Sequence, residues 1–139
     1  MPQDLRPYLM SATYEFIVDR GETPYITVWA DERCVVPREF VKEQIINRDG
    51  DVAPIITLNI SMAATPNLEI PKEGSAVVFN GSFGGRKMEV FVPFDCVLAM
   101  YSHETPNHAM AFEYITPAER QNTEAPEPPK GKPSLKVIK

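Results

Sequence analysis

The chain has 139 residues, with 14 Lys and Arg against 19 Asp and Glu, and a formal net charge of −5. That length supports one domain with an ordinary core and leaves little room for a second. The acidic balance repels nucleic acid and anionic lipid at long range, so any anionic partner has to be recognised locally.

The first residues, Met1 to Met10, lack the long apolar run of a secretion signal. No segment approaches the roughly 20 apolar residues of a membrane span. The expectation is a cytoplasmic protein with no membrane contact. A helix is predicted from Leu5 to Arg20. Asp4 is placed to cap it, Pro7 falls in its first turn where a missing N–H costs little, and Gly21 ends it. Leu5, Leu9, Ala12 and Phe16 follow one helical stripe, while Met10, Tyr14, Ile17 and Val18 extend round the cylinder. One face can cover a sheet while another meets a second chain; a single broad core face is the alternative.

After Thr23-Pro24, the β-forming run Tyr25 to Ala30 predicts the first strand. Val35-Val36-Pro37 opens an irregular passage, and Arg38 to Asn47 is expected to form a short helix before an Asp49-Gly50 turn. Further strands are predicted at Ile55 to Ile60, Asn67 to Ile70, Ala76 to Asn80 and Lys87 to Val92, separated by Pro or Gly. Val97 to Tyr101 and Met110 to Tyr114 are additional apolar runs, the first preceded by a helical turn around Pro93 to Asp95. An N-terminal helix followed by many short strands points to an α+β, mainly β fold: a small, strongly bent sheet or open barrel.

From Pro117 to Pro133 no branched aliphatic or aromatic side chain offsets the entropy of ordering the backbone. This stretch reads as a tether. Beyond it, Leu135, Val137 and Ile138 form an apolar, basic cassette with Lys136 and Lys139, either a peptide docked by another protein or a frayed terminus. The expected organisation is a folded domain at 1–116, a linker at 117–131 and a peptide module at 132–139.

Catalytic chemistry finds little support. His103 and His108 are five apart, which is not the spacing that puts two imidazoles on one helical face, and they read as solvated loop residues. Glu15 and Asp19 share a helix face in a spacing routine for solvated residues. Cys34 and Cys96 show no Cys-x-x-Cys spacing and are expected as reduced, partly buried thiols, with no metal and no cofactor. Gly81 to Arg86 lacks the Gly-Lys-Ser/Thr ending of a phosphate loop, and Gly84-Gly85 is more naturally a hairpin turn. Gly81 itself marks either a bulge or a place where another backbone must approach, as in a groove for an extended peptide.

Several passages together resemble the stringent starvation protein B (SspB) family. They are Arg6 to Met10 with Tyr14-Glu15-Phe16, Thr23-Pro24-Tyr25, Thr57 to Ile60, Asn67 to Ile70, Phe79 to Gly85, Val97 to Tyr101 and Lys132 to Lys139, in that order. The resemblance implies an SH3-like or Sm-like open barrel whose N-terminal helix pairs in a homodimer. It implies a non-enzymatic adaptor that binds ssrA-tagged proteins and tethers them to the N-terminal zinc-binding domain of ClpX for degradation by ClpXP.

Carried over by position, the tag site is Phe79, Asn80, Gly81, Ser82 and Phe83, with Met110 and Phe112 opposite. The ClpX contact is Leu135, Lys136, Val137, Ile138 and Lys139, and the dimer contacts are Tyr14 and Val18. Where many relatives carry Ala then Arg, this chain has Gly81 and Ser82, so a charge contact to the acidic tag is absent or supplied by Arg86 or Lys87. The rival reading is an RNA-binding small barrel in which Phe83 stacks on a base. Net acidity and the lack of a dense Lys/Arg patch count against it.

Overall fold

The structure, a computed structural model, describes residues 5–65, 67–71 and 74–119. The predicted cap Asp4, nearly all of the linker and the whole 132–139 cassette lie outside the described residues.

Helix α1 spans Arg6–Asp19, with Leu5 at its N-cap making no side-chain capping bond and Pro7 in its first turn. It ends as expected. Gly21 takes φ 75°, its N–H reaching Val18 O at 2.9 Å while that of Glu22 reaches Ile17 O at 3.0 Å, the paired bonds of a glycine-terminated helix. The face turned inward is not the Leu5, Leu9, Ala12 and Phe16 stripe. Met10 and Ile17 are fully buried, with Arg6 and Pro7 beside them, while Leu5 and Phe16 stand exposed. Both stripes obey helical spacing, so periodicity alone had no means of ranking them.

Strand β1, Pro24–Trp29, alternates buried and half-buried residues and is central to its sheet. It pairs antiparallel with β3, Val52–Asn59, setting Ile26 opposite Leu58 and Val28 opposite Ile56. On its other side lies β6, Val97–Ser102, with Met100 opposite Ile26. Strand β2, Lys42–Ile45, pairs with β3, and β7, Ala109–Ala111, pairs with β6, giving the order β2-β3-β1-β6-β7.

The helix expected at Arg38 to Asn47 is therefore a correction: only Arg38–Phe40 turns, as a single 3-10 turn, and Lys42–Ile45 is strand β2. Asn47 directs this outcome. Its Oδ1 accepts the N–H groups of Asp49 and Asp51 at 3.0 and 3.2 Å, and Gly50 takes φ 85°, so the chain reverses and lays Lys42–Ile45 against β3. All four β2 residues are exposed, so the strand has no apolar alternation to announce it.

The second sheet is the hairpin of β4, Ala76–Phe83, and β5, Arg86–Pro93. Gly84 and Gly85, at φ 59° and 82°, make its turn as predicted. The expected strand at Asn67 to Ile70 reduces to a single bridge, Glu69 to Val78, with Asn67 Oδ1 accepting the Asn80 N–H at 3.0 Å. A second bridge, Val35 to Phe91, joins the passage after β1 to β5. Met10 and Ile17 of α1, Ile26, Val28, Leu58 and Met100 of the first sheet and Phe79, Val90 and Val92 of the second share one core. Each such side chain contributes about 1.5–3 kcal/mol on burial. The architecture is α+β and mainly β, a helix followed by two antiparallel sheets closing on a common core. Among the described residues no helix is long and apolar enough to cross a membrane.

Candidate functional site

The tip of the β4–β5 hairpin overhangs the outer face of β2 and β3, and between them runs a groove of about 600 Å³. Gly81, Ser82, Phe83 and Gly84 form one wall, while Lys42 and Gln44 of β2 with Thr57 and Asn59 of β3 form the other. Thr57 and Asn59 are exposed positions between buried neighbours in the second half of β3, so they offer polar atoms to the groove while those neighbours hold the core.

Two contacts tie the hairpin tip to the 3-10 turn before β2. The rings of Phe40 and Phe83 lie 6.4 Å apart at 46°, and Arg86 Nη2 meets Glu39 Oε2 at 2.5 Å. Gly81 also makes room within the chain itself: a Cβ there would sit 2.9 Å from Phe83 Cζ and 3.0 Å from its Cε2. The Phe83 ring lies on its own strand, over the glycine.

The seven sequence-predicted tag residues do not form one cluster. Gly81, Ser82 and Phe83 line the groove. Phe79 is 1% exposed and belongs to the core beneath it, and Asn80 is exposed on the opposite face of β4 from Phe79 and Gly81. Met110 pairs with Met100, and the Phe112 N–H donates to Leu98 O at 2.8 Å. They sit on and just beyond β7, the edge of the sheet opposite to β2, where the Arg6 guanidinium lies 5.0 Å from the Phe112 ring centroid. Phe40, Lys42, Gln44, Thr57 and Asn59 were missed. Three of these fell in a stretch expected to be helical, and an outward Thr or Asn on a strand carries no mark of what it faces. Arg86, weighed as a substitute charge, is engaged with Glu39, whereas Lys42 lines the groove.

A second groove, of about 590 Å³, lies between α1 and Met62, Thr65, Leu68 and Ile70. Tyr8, Ala12, Tyr14 and Val18 face Met62, Leu68 and Ile70 across it, so the two residues singled out for dimerisation lie together. Tyr14 also packs against the core, and burial raises its pKa.

His103 is exposed in its loop, as expected, whereas His108 is half-buried and engaged, a departure from that expectation. His103 stacks on Tyr25 at 5.0 Å. His108 Nδ1 lies 3.3 Å from Glu22 Oε1, which also accepts the Ser102 hydroxyl at 2.8 Å, and Thr105 donates to Glu22 Oε2 at 2.8 Å. The Thr105 and Ser102 hydroxyls lead in holding the Glu22 pKa down at about 2. This cluster fastens the 102–108 loop to the end of α1.

The groove offers side-chain and backbone polar groups with an aromatic edge, a chemistry suited to recognition. The family model for stringent starvation protein B matches residues 4–139. The stringent starvation protein B homolog of Haemophilus influenzae is 38% identical over 106 residues, covering 76% of this chain and 63% of that relative. The chain thus spans somewhat under two thirds of the relative's length. It belongs to the stringent starvation protein B family.

Proposed function

We propose that the protein is a proteolysis adaptor of the cytoplasm: it holds ssrA-tagged proteins and tethers them to ClpX, enhancing their degradation by ClpXP. Family membership over nearly the whole chain supports the class. The observation that carries the site is the groove beside Gly81, Ser82 and Phe83, the three residues that both the resemblance and the geometry select. An extended tag segment would lie between β4 and the β2–β3 face, with Lys42 supplying positive charge to an acidic residue and Thr57 and Asn59 bonding its main chain.

Residues 1–116 would carry tag binding and dimerisation, 117–131 the linker and 132–139 the ClpX contact through Leu135, Lys136, Val137, Ile138 and Lys139. As a flexible coil, the linker has a root-mean-square span of roughly 19–23 Å, enough to join two proteins without fixing their orientation. A homodimer built on the α1 groove, with Tyr14 and Val18 inside the contact, would present two tails and raise avidity for a multi-subunit unfoldase without strong individual contacts.

Fluorescence anisotropy with a labelled ssrA peptide tests the site. Saturable binding that Lys42→Glu or Ser82→Arg changes, in variants with unaltered circular dichroism, supports the groove. Failure of the wild-type chain to bind the peptide, or preference for a single-stranded RNA of equal length, would sink the adaptor reading.

A further inference from the structure

Cys34 and Cys96 are both free thiols and are 4% and 0% exposed. Sequence spacing gave no reason to associate them. Cys34 lies in the passage after β1, Cys96 closes the 3-10 turn Phe94–Cys96 before β6, and the fold brings both sulfurs and a carboxylate oxygen of Asp31 within 4.8 Å of one another.

The separations suit a metal centre. The Cys96 thiol donates to Asp31 Oδ1 at 3.5 Å, and the Cys34 thiol donates to Trp29 O at 3.6 Å. Tetrahedral Zn²⁺, with Zn–S about 2.3 Å and Zn–O about 2.0 Å, sets a thiolate and a carboxylate oxygen about 3.5 Å apart and two thiolates about 3.8 Å apart. The Cys96–Asp31 edge has that length already. The carboxylate is also oriented from behind: Tyr114 donates to Asp31 Oδ2 at 2.7 Å, and Arg33 Nε and Nη2 reach the same oxygen at 3.1 and 2.8 Å. Such outer bonds fix the orientation of a ligating side chain.

We propose that Asp31, Cys34 and Cys96 form a binding site for a thiophilic divalent cation of the Zn²⁺ type, with the two sulfurs and Asp31 Oδ1 as its protein ligands and a water completing the tetrahedron. Binding exchanges the two thiol protons, released to solvent, for one dication, so the net charge of the buried cluster is unchanged. Arg33 Nη2, 3.5 Å from Cys96 Sγ, remains as a donor to the thiolate. Two sulfur ligands select against Mg²⁺ and Ca²⁺, which take oxygen. Arg33 also donates to Ile115 O at 2.8 Å, so the bound ion would brace the segment from which residues 117–131 depart. It lies apart from both grooves.

The test uses the full chain, reduced with a phosphine under anaerobic conditions and titrated with Co²⁺ followed by Zn²⁺. The expected result is a near-ultraviolet thiolate-to-Co²⁺ charge-transfer band with tetrahedral ligand-field bands, saturating at about one ion per chain, as for a single site, and displaced by Zn²⁺. Cys34→Ser should cut the charge-transfer band by half or more. Tyr114→Phe keeps the aromatic ring and all three ligands, and it should weaken binding about 10- to 100-fold. Absence of a charge-transfer band at saturating Co²⁺, or a band that Cys34→Ser leaves unchanged, would overturn the site.

Discussion

Phe83 Cζ lies 2.9 Å from the point a Cβ on Gly81 would occupy, so the bare glycine first accommodates the ring two residues further along its own strand. A methyl group there requires the ring to swing aside, and because the close atoms are the far end of a half-buried side chain the cost is modest, about 1 kcal/mol. Gly81→Ala should therefore lower the urea midpoint, and the loss should shrink when Phe83 is also Ala. A double-mutant cycle reads the coupling, expected at about 0.5–1 kcal/mol. Strict additivity would mean that the ring does not rest on Gly81.

Arg6 is buried in the first turn of α1 and donates through Nη1 to Phe94 O at 2.8 Å and through Nη2 to Glu113 O. It joins the helix to the start of β6 and the segment after β7. Arg6→Met retains much of the volume but leaves those carbonyls short of a donor, which should cost about 2–4 kcal/mol. Thermal unfolding checks this, and an unchanged midpoint would remove Arg6 from the set of residues that fix the helix.

Glu22 gives the acid range a specific signature. Its folded pKa is lowered from 4.5 to about 2, chiefly by Thr105 and Ser102. A depressed carboxylate pKa contributes stability above the unfolded value and loses it as pH falls through the folded one. Wild-type stability should fall between pH 4.5 and 2 more steeply than that of Glu22→Gln. Urea midpoints measured across that window decide it; parallel profiles would contradict the assignment.

The chain's order was legible where side chains alternate between core and solvent or where glycine must turn. Ile26 and Val28 announced β1, Gly84-Gly85 announced the hairpin, and Gly21 closed the helix. What escaped was information held between distant segments. Lys42 and Gln44 belong to a wholly exposed strand and have no apolar face, so only their pairing with β3 reveals them. Which stripe of α1 turns inward was likewise undecidable from spacing, since Met10 and Ile17 compete with Leu5 and Phe16 on equal geometric terms. The site was half legible for the same reason. Gly81 was marked by its missing side chain and Ser82 and Phe83 by the family resemblance, but the wall they face comes from β2 and β3, and Met110 and Phe112 lie at the far edge of the sheet.

The α1 groove separates two effects that the helix alone would confuse. Val18 lines the groove between the helix and Met62, Leu68 and Ile70, whereas Tyr14 also touches the core. If this face joins two copies, Val18→Glu should yield a folded monomer, because a charge placed in a desolvated contact is strongly disfavoured. Tyr14→Glu should lose stability as well. Sedimentation velocity with circular dichroism distinguishes them, and a wild-type chain that stays monomeric at high concentration would exclude the dimer.

The adaptor account is tested most directly by the rate at which ClpXP degrades an ssrA-tagged substrate held well below saturation, with the full chain or a chain lacking 135–139. The account predicts that the full chain accelerates degradation, while the shortened chain binds the tag peptide with unchanged affinity but gives no acceleration. Equal acceleration by both chains would contradict tethering through the tail, and no acceleration by the full chain would contradict the adaptor function itself.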